Sequence, residues 1–356
     1  MSYDYKEVVP YLLHWFDYNA RILAWRENPK PYYVWISEIM LQQTRVEAVK
    51  SYFDRFTREL PDICSLAKVE EDKLLKLWEG LGYYSRVRNL QKAARILMEK
   101  YDGELPASYE ELLTLPGIGE YTAGAIASIA YGISVPAVDG NVLRVMKRIA
   151  GSFDDITRAA VKKELWKDIM AIIPQDRPGD FNQSLMELGA TVCLPNGKPL
   201  CEQCPVMHLC KAFREGTMLQ LPVKPQKKER RKEERTILLL EYQNRYAIRK
   251  RMEKGLLYGL WELPGIESKV GKEKLQQILT DLGIASLEIT PMKDAKHIFS
   301  HVEWDMSGYH IRLKEVPKEY STRNSIVWAN TSDLTNIYSI PNAFMSFTKD
   351  IKLKKK

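Results

Sequence analysis

Four of the five cysteines in this 356-residue chain fall between positions 193 and 210. Cys193, Cys201, Cys204 and Cys210 follow the spacing C-x7-C-x2-C-x5-C. Clustered thiols in a thiol-poor chain indicate a metal site or a disulfide staple. A staple is disfavoured: the start, Met1-Ser2-Tyr3-Asp4, does not read as a secretory signal, and a chain this long builds a core without one. Structural zinc usually takes two close cysteine pairs, and this chain has one C-x2-C. A single pair with outlying cysteines suits a cubane iron–sulfur cluster better, with zinc and unligated thiols as the alternatives. Pro195, Gly197 and Pro199 make the first spacer a loop, as a ligand-wrapping segment requires.

Two carboxylates stand in chemically suggestive surroundings. Glu38 lies in VWISEIMLQQT (34–44), where a helix places it on the same side as Val34, Trp35 and Leu41. A carboxyl among apolar side chains keeps its proton above the ordinary value of about 4.3 and becomes a general acid near neutrality. An ordinary half-exposed glutamate on a core helix is the plainer alternative. Asp139, in VPAVDGNVLRV (135–145), precedes an amphipathic pattern whose polar side carries Arg144, Lys147 and Arg148. It reads as an N-cap, and the helix N-terminus is expected to keep it ionised beside a developing positive charge. Between them runs LPGIGEYTAGAIA (115–127). Gly117 and Gly119 allow a tight turn whose backbone N–H groups face outward at a helix start, an anion site suited to phosphate. Ala123, Gly124, Ala125 and Ala127 allow the second helix to pack closely.

The elements that must position these residues are helical over 1–221. Apolar residues recur at three- and four-residue intervals, predicting helices near 70–77, 86–100, 109–115, 122–131 and 142–150. The stretch 222–235, PVKPQKKERRKEER, has seven basic residues, three glutamates and two prolines, and is expected to be an extended basic linker able to meet phosphates. From Thr236 the pattern becomes α+β. A hairpin turning at Gln243-Asn244, a helix over KEKLQQILTDLG and a second hairpin turning near Gly308 are expected. Length favours two domains. Charged residues make up 28% of the chain, and the net charge of +7 suits a polyanion partner without requiring one. No apolar run is long enough to span a membrane, and the expected location is the cytoplasm.

Together these segments resemble the helix-hairpin-helix, iron–sulfur DNA glycosylases of the endonuclease III superfamily. WISEIMLQQT with GLGYYSR (80–86) resembles the MutY-type adenine glycosylases within it. The resemblance covers essentially the whole chain, although the family's first cysteine spacer usually has six residues and this one has seven. It implies an all-α glycosylase domain (1–221) with its hairpin at about 109–131 and a [4Fe-4S] loop at 193–210. The linker (222–235) and a C-terminal α+β Nudix-like domain (236–350) that reads 8-oxoguanine follow. YGLWELPG (258–265) is similar to the start of a Nudix fold, but 272–282 offers only Glu273 and Asp281 where the magnesium-binding glutamates of a Nudix hydrolase stand. Phe299-Ser300-His301 matches the loop with which such enzymes recognise 8-oxoguanine.

The implied reaction is hydrolytic removal of adenine paired with 8-oxoguanine, or less well with guanine, from duplex DNA by a monomeric enzyme. Glu38 is implied as the acid that protonates adenine, and Asp139 as the stabiliser of the oxocarbenium ion. Tyr121 and Asn141 would support sugar and water, Arg26 and Gln183 would contact the flipped adenine, and Gln43 and Tyr83 would fill its place in the stack. Ser300 and His301 would meet 8-oxoguanine, and Gly117 and Gly119 the DNA backbone. Tyr121 stands where bifunctional relatives carry a lysine, so Schiff-base lyase chemistry is not expected. A glycosylase/lyase acting on oxidised pyrimidines and a non-enzymatic DNA-binding module are the rival readings.

Overall fold

The computed structural model describes residues 3–225 and 229–352. Part of the expected linker (226–228) and of the closing lysine run (353–356) lie outside them. The chain divides into two units: Met1–Lys68 with Arg88–Gln226, and Val69–Val87 with Lys227–Lys356.

The first unit is helical, apart from an isolated bridge between Asp155 and Val223. Three helices build its chemistry: Pro31–Leu41, Glu120–Tyr131 and Gly140–Ala150. The Pro31–Leu41 helix is apolar nearly all round and lies buried, as a helix without a polar face must. Tyr109–Leu113 and Glu120–Tyr131 form the expected hairpin. Ser108 caps the first of these helices by accepting from the Glu111 N–H at 3.3 Å. Gly117 turns the chain at φ +80°, and a Cβ there would lie 2.8 Å from that of Asn89. Small residues then set the packing distance: a Cβ on Gly124 would sit 2.1 Å from the Pro136 carbonyl oxygen. This close approach holds the extended 135–138 segment against the hairpin helix, just ahead of Asp139.

Arg144, Lys147 and Arg148, on the polar side of the Gly140–Ala150 helix, are nonetheless buried, at 4%, 6% and 4% exposed. Their charged ends satisfy carbonyls and a carboxylate: Arg148 donates to Leu221 O and Leu194 O, and Lys147 pairs with Asp154 at 2.9 Å. Apolar residues of the same helix, Val142, Val145, Met146 and Ile149, join Phe181, Leu185 and Leu188 of the Pro178–Thr191 helix in one core.

The second unit is a mixed sheet of seven strands: β1 (Arg231–Tyr242), β2 (Arg245–Lys250), β3 (Trp261–Glu262), β4 (Gly265–Ile266), β5 (Ser286–Ile298), β6 (Val302–Leu313) and β7 (Ile326–Ala329). Its central path runs β3-β2-β1-β6-β5, with β1 and β6 parallel. The β1–β2 hairpin turns at Gln243 and Asn244, both at positive φ, as expected. Two expectations fail. The basic stretch is not all linker, because β1 begins at Arg231, where a ladder with β6 from Val302 onward captures it. The second hairpin turns not near Gly308 but between β5 and β6, around Ser300-His301. Gly308 sits inside β6 because an aromatic ring fills the space: an added Cβ would lie 2.3 Å from Phe347. The expected helix is present as Lys272–Asp281, and Leu275 and Leu279 bury its apolar side.

Candidate active site

Glu38 is 5% exposed on the Pro31–Leu41 helix. The Tyr121 hydroxyl, one residue into the hairpin helix, donates to its Oε2 at 2.5 Å. Burial lifts the Glu38 carboxyl to about 7; the Tyr121 hydrogen bond and Arg26 oppose that rise, and the charge of Asp139 adds to it. The Tyr121 hydroxyl is itself held well above its ordinary value, first by burial and then by the two carboxylates, so it stays a donor.

Asp139 caps the Gly140–Ala150 helix: its Oδ1 accepts from the Asn141 and Val142 N–H groups, each at 2.8 Å. Its Oδ2 accepts from the Asn141 side-chain amide at 2.7 Å. Burial raises its carboxyl above the ordinary value, and the capping hydrogen bonds only oppose that rise. Asn141 in turn accepts from Arg144 at 2.9 Å, and Arg144 also donates to Gly189 O and Cys193 O.

Arg26 stands near Glu38 and Tyr121, but its guanidinium is tied to Glu187 at 2.8 Å. Glu187 has no exposed side-chain surface and also accepts two hydrogen bonds from the Arg21 guanidinium, at 2.5 and 2.9 Å. Gln183 lies half-buried one helical turn before Glu187. Sequence reasoning missed Glu187 and Asn182. The Asn182 side chain pins the 135–137 backbone by donating to Val135 O and accepting from Ala137 N. Nothing in their local pattern separates them from surface residues; their long-range partners do.

Gln43 is exposed at φ +60° just beyond the Glu38 helix. In the second unit Tyr83 is 48% exposed at φ +47°, and its hydroxyl lies 2.9 Å from the Ser300 hydroxyl. Ser300 and His301 are exposed at the tip of the β5–β6 turn. Gly119 precedes the hairpin helix as its N-cap, in extended conformation.

Cys193, Cys201, Cys204 and Cys210 are free thiols lining one small pocket, walled by Val145, Ile149, Leu188 and Val206. Among the described residues no three His, Cys, Asp or Glu side chains are placed to hold a metal ion. Four thiols lining one pocket are the donor set that a [4Fe-4S] cluster takes at its corners. Arg148 donates to Cys193 Sγ at 3.2 Å, a charge suited to a thiolate.

Residues 36–170 match the family model described as HhH-GPD superfamily base excision DNA repair protein, and residues 235–349 match that of a NUDIX domain. The chain is similar to an adenine DNA glycosylase of Buchnera aphidicola from Schizaphis graminum, at 37% identity over 92% of this chain and 93% of that protein. It is 36% identical to the adenine DNA glycosylase of Mus musculus, covering 86% of this chain and 70% of the mouse protein. Among solved structures, a thermostable thymine-DNA glycosylase superposes with TM-score 0.54 and 29% identity, covering 59% of this chain and 96% of that one. Endonuclease III in a non-covalent DNA complex gives TM-score 0.51 and 27% identity, over 61% and 99%.

Proposed function

This chain belongs to the adenine DNA glycosylases, hydrolases of N-glycosyl bonds, and we propose that it removes adenine paired with 8-oxoguanine or guanine from duplex DNA without cutting the strand. The observation that carries this reading is the buried Glu38, held near pH 7 in hydrogen-bond contact with Tyr121 and facing the charge of Asp139. Glu38 in its neutral form donates its proton to N7 of the flipped adenine. The C1′–N9 bond then breaks with its electron pair on the base, leaving oxocarbenium character at the sugar. Asp139 stabilises that charge. A cation forming beside its carboxyl favours the ionised form, which burial alone disfavours. Water adds to C1′, and the proton it loses restores Glu38. Flipping itself costs a few kcal/mol, and a mispair reduces that cost.

Tyr121 and Asn141 hold the two carboxyls for sugar and water. Arg26 and Gln183 contact adenine, Gln43 and Tyr83 fill the vacated stack, and Ser300 and His301 read 8-oxoguanine. The turn at Gly117 and Gly119 meets the DNA backbone. Cys193, Cys201, Cys204 and Cys210 would hold one [4Fe-4S] cluster, whose contribution is to tie the 193–210 loop together. The test is single-turnover excision on a duplex with one A:8-oxoguanine pair, with and without hot alkali. Strand breaks only after alkali support the reading. Breaks without alkali indicate a lyase, and tight binding with no excision indicates a binding module.

A further inference from the structure

The Ser300-His301 turn has little packing of its own. Phe299 N–H donates to Val302 O at 2.8 Å, so only two residues, both exposed, span the tip. What places it lies behind it. The Phe299 ring meets His297 edge-on at 4.6 Å and Trp304 edge-on at 4.9 Å. Trp304 is 1% exposed and is gripped twice: its indole N–H donates to Glu233 at 2.9 Å, and the Arg235 guanidinium lies 4.2 Å over its ring. Glu233 and Arg235 are joined at 3.1 Å. The buried Nε of Arg235 has no hydrogen-bond partner, so the ring contact is not a by-product of satisfying that nitrogen. Two further contacts hold the turn's backbone: Arg231 N–H donates to His301 O at 3.1 Å, and Arg230 Nε donates to Phe299 O at 3.2 Å. The charged start of β1, which reads as linker in the sequence, therefore braces the turn from behind.

We propose that Arg235, through Trp304 and Phe299, is a specificity-positioning residue that sets the Ser300-His301 turn for the base opposite adenine. This rests on the reading of that turn as the 8-oxoguanine contact. The grip is a cation over an aromatic face, which a desolvated site strengthens, and the sheet register supports it by pairing Glu233 with Trp304 in the β1–β6 ladder.

The test measures excision by the full-length protein on A:8-oxoguanine and A:G duplexes, side by side, for wild type, Arg235→Met and Arg235→Lys. Met keeps apolar bulk without charge; Lys keeps a cation for the ring. The ratio of kcat/KM on A:8-oxoguanine to that on A:G is expected to fall roughly tenfold in Arg235→Met, in line with loss of one desolvated cation–π contact, with A:G excision unchanged. Arg235→Lys is expected to recover most of the ratio. A wild-type ratio in Arg235→Met overturns the proposal, as does an equal fall on both duplexes. If the wild type itself does not prefer 8-oxoguanine, the functional reading fails and the proposal with it.

Discussion

Glu38 concentrates the chemistry in one proton. With its carboxyl near 7, the acid form is populated at and below neutrality, so single-turnover excision is expected to hold level below about pH 7 and decline above it. Glu38→Gln removes that proton and is expected to abolish measurable turnover while DNA binding, followed by gel shift, stays within a fewfold of wild type. The same group also leaves a mark on stability. Its folded-state value lies above the unfolded 4.5, so the native state binds the proton more tightly. The contribution is therefore complete below about pH 4.5 and is lost as pH rises through about 7, by roughly 3 kcal/mol. Thermal unfolding checks this: Glu38→Gln is expected to melt above wild type at pH 8 and to converge with it at pH 5. A difference independent of pH would mean that Glu38 is not the titrating group.

At the scale of elements, Asp139 has two duties that substitution can separate. Asparagine caps a helix about as well as aspartate, whereas alanine leaves the Asn141 and Val142 N–H groups without their acceptor. Asp139→Asn is expected to melt close to wild type yet lose excision; Asp139→Ala is expected to lose both, with about 1 kcal/mol of stability, read by denaturant unfolding. The hairpin turn offers a complementary case. Gly117→Ala meets both the positive φ and the Asn89 side chain, and is expected to cost about 1–3 kcal/mol. DNA affinity would fall with it, and the size of each loss separates turn strain from lost phosphate contact.

For the molecule as a whole, the division of the chain matters. Residues 69–87, which carry Tyr83, are held by the second unit. Asp72 pairs with Lys250 at 2.8 Å, Lys76 donates to Leu334 O and Tyr338 O, and Glu79 accepts from Ile340 N–H at 2.9 Å. Truncation after Leu221 strips these partners as well as Ser300. The shortened protein is expected to keep some A:G excision while its preference for A:8-oxoguanine collapses, measured as the ratio of single-turnover rates. Equal preference in the two proteins would remove the role assigned to the second unit. The cysteine cavity predicts a separate outcome: Cys204→Ser is expected to lower bound iron and sulfide, quantified by chemical analysis, and to loosen the 193–210 loop to proteolysis.

How much of this was legible in the sequence follows from the range of the forces involved. Helical periodicity, the Gly117 turn, the Asp139 cap and the cysteine spacing are local, set by backbone sterics and neighbouring hydrogen bonds, and the chain displays them directly. That Glu38 is buried was suggested by its apolar neighbours. The short bond from Tyr121, 83 residues away, and the balance that brings the carboxyl near 7 needed the packed helices. That Arg144, Lys147 and Arg148 are buried was not legible, because the helical pattern gives their polar side and not the carbonyls and carboxylate that satisfy them. Residues 231–235 read as linker because charge suggests solvent. A ladder with β6, about 70 residues downstream, makes them a strand, since unpaired backbone groups beside a sheet edge gain more from pairing than those side chains gain from leaving. Local sterics and spacing thus specify the elements and the chemical types of the site. Which charges are buried, and so how each carboxyl holds its proton, is decided by contacts between residues far apart in the chain, because desolvation depends on everything packed around a group.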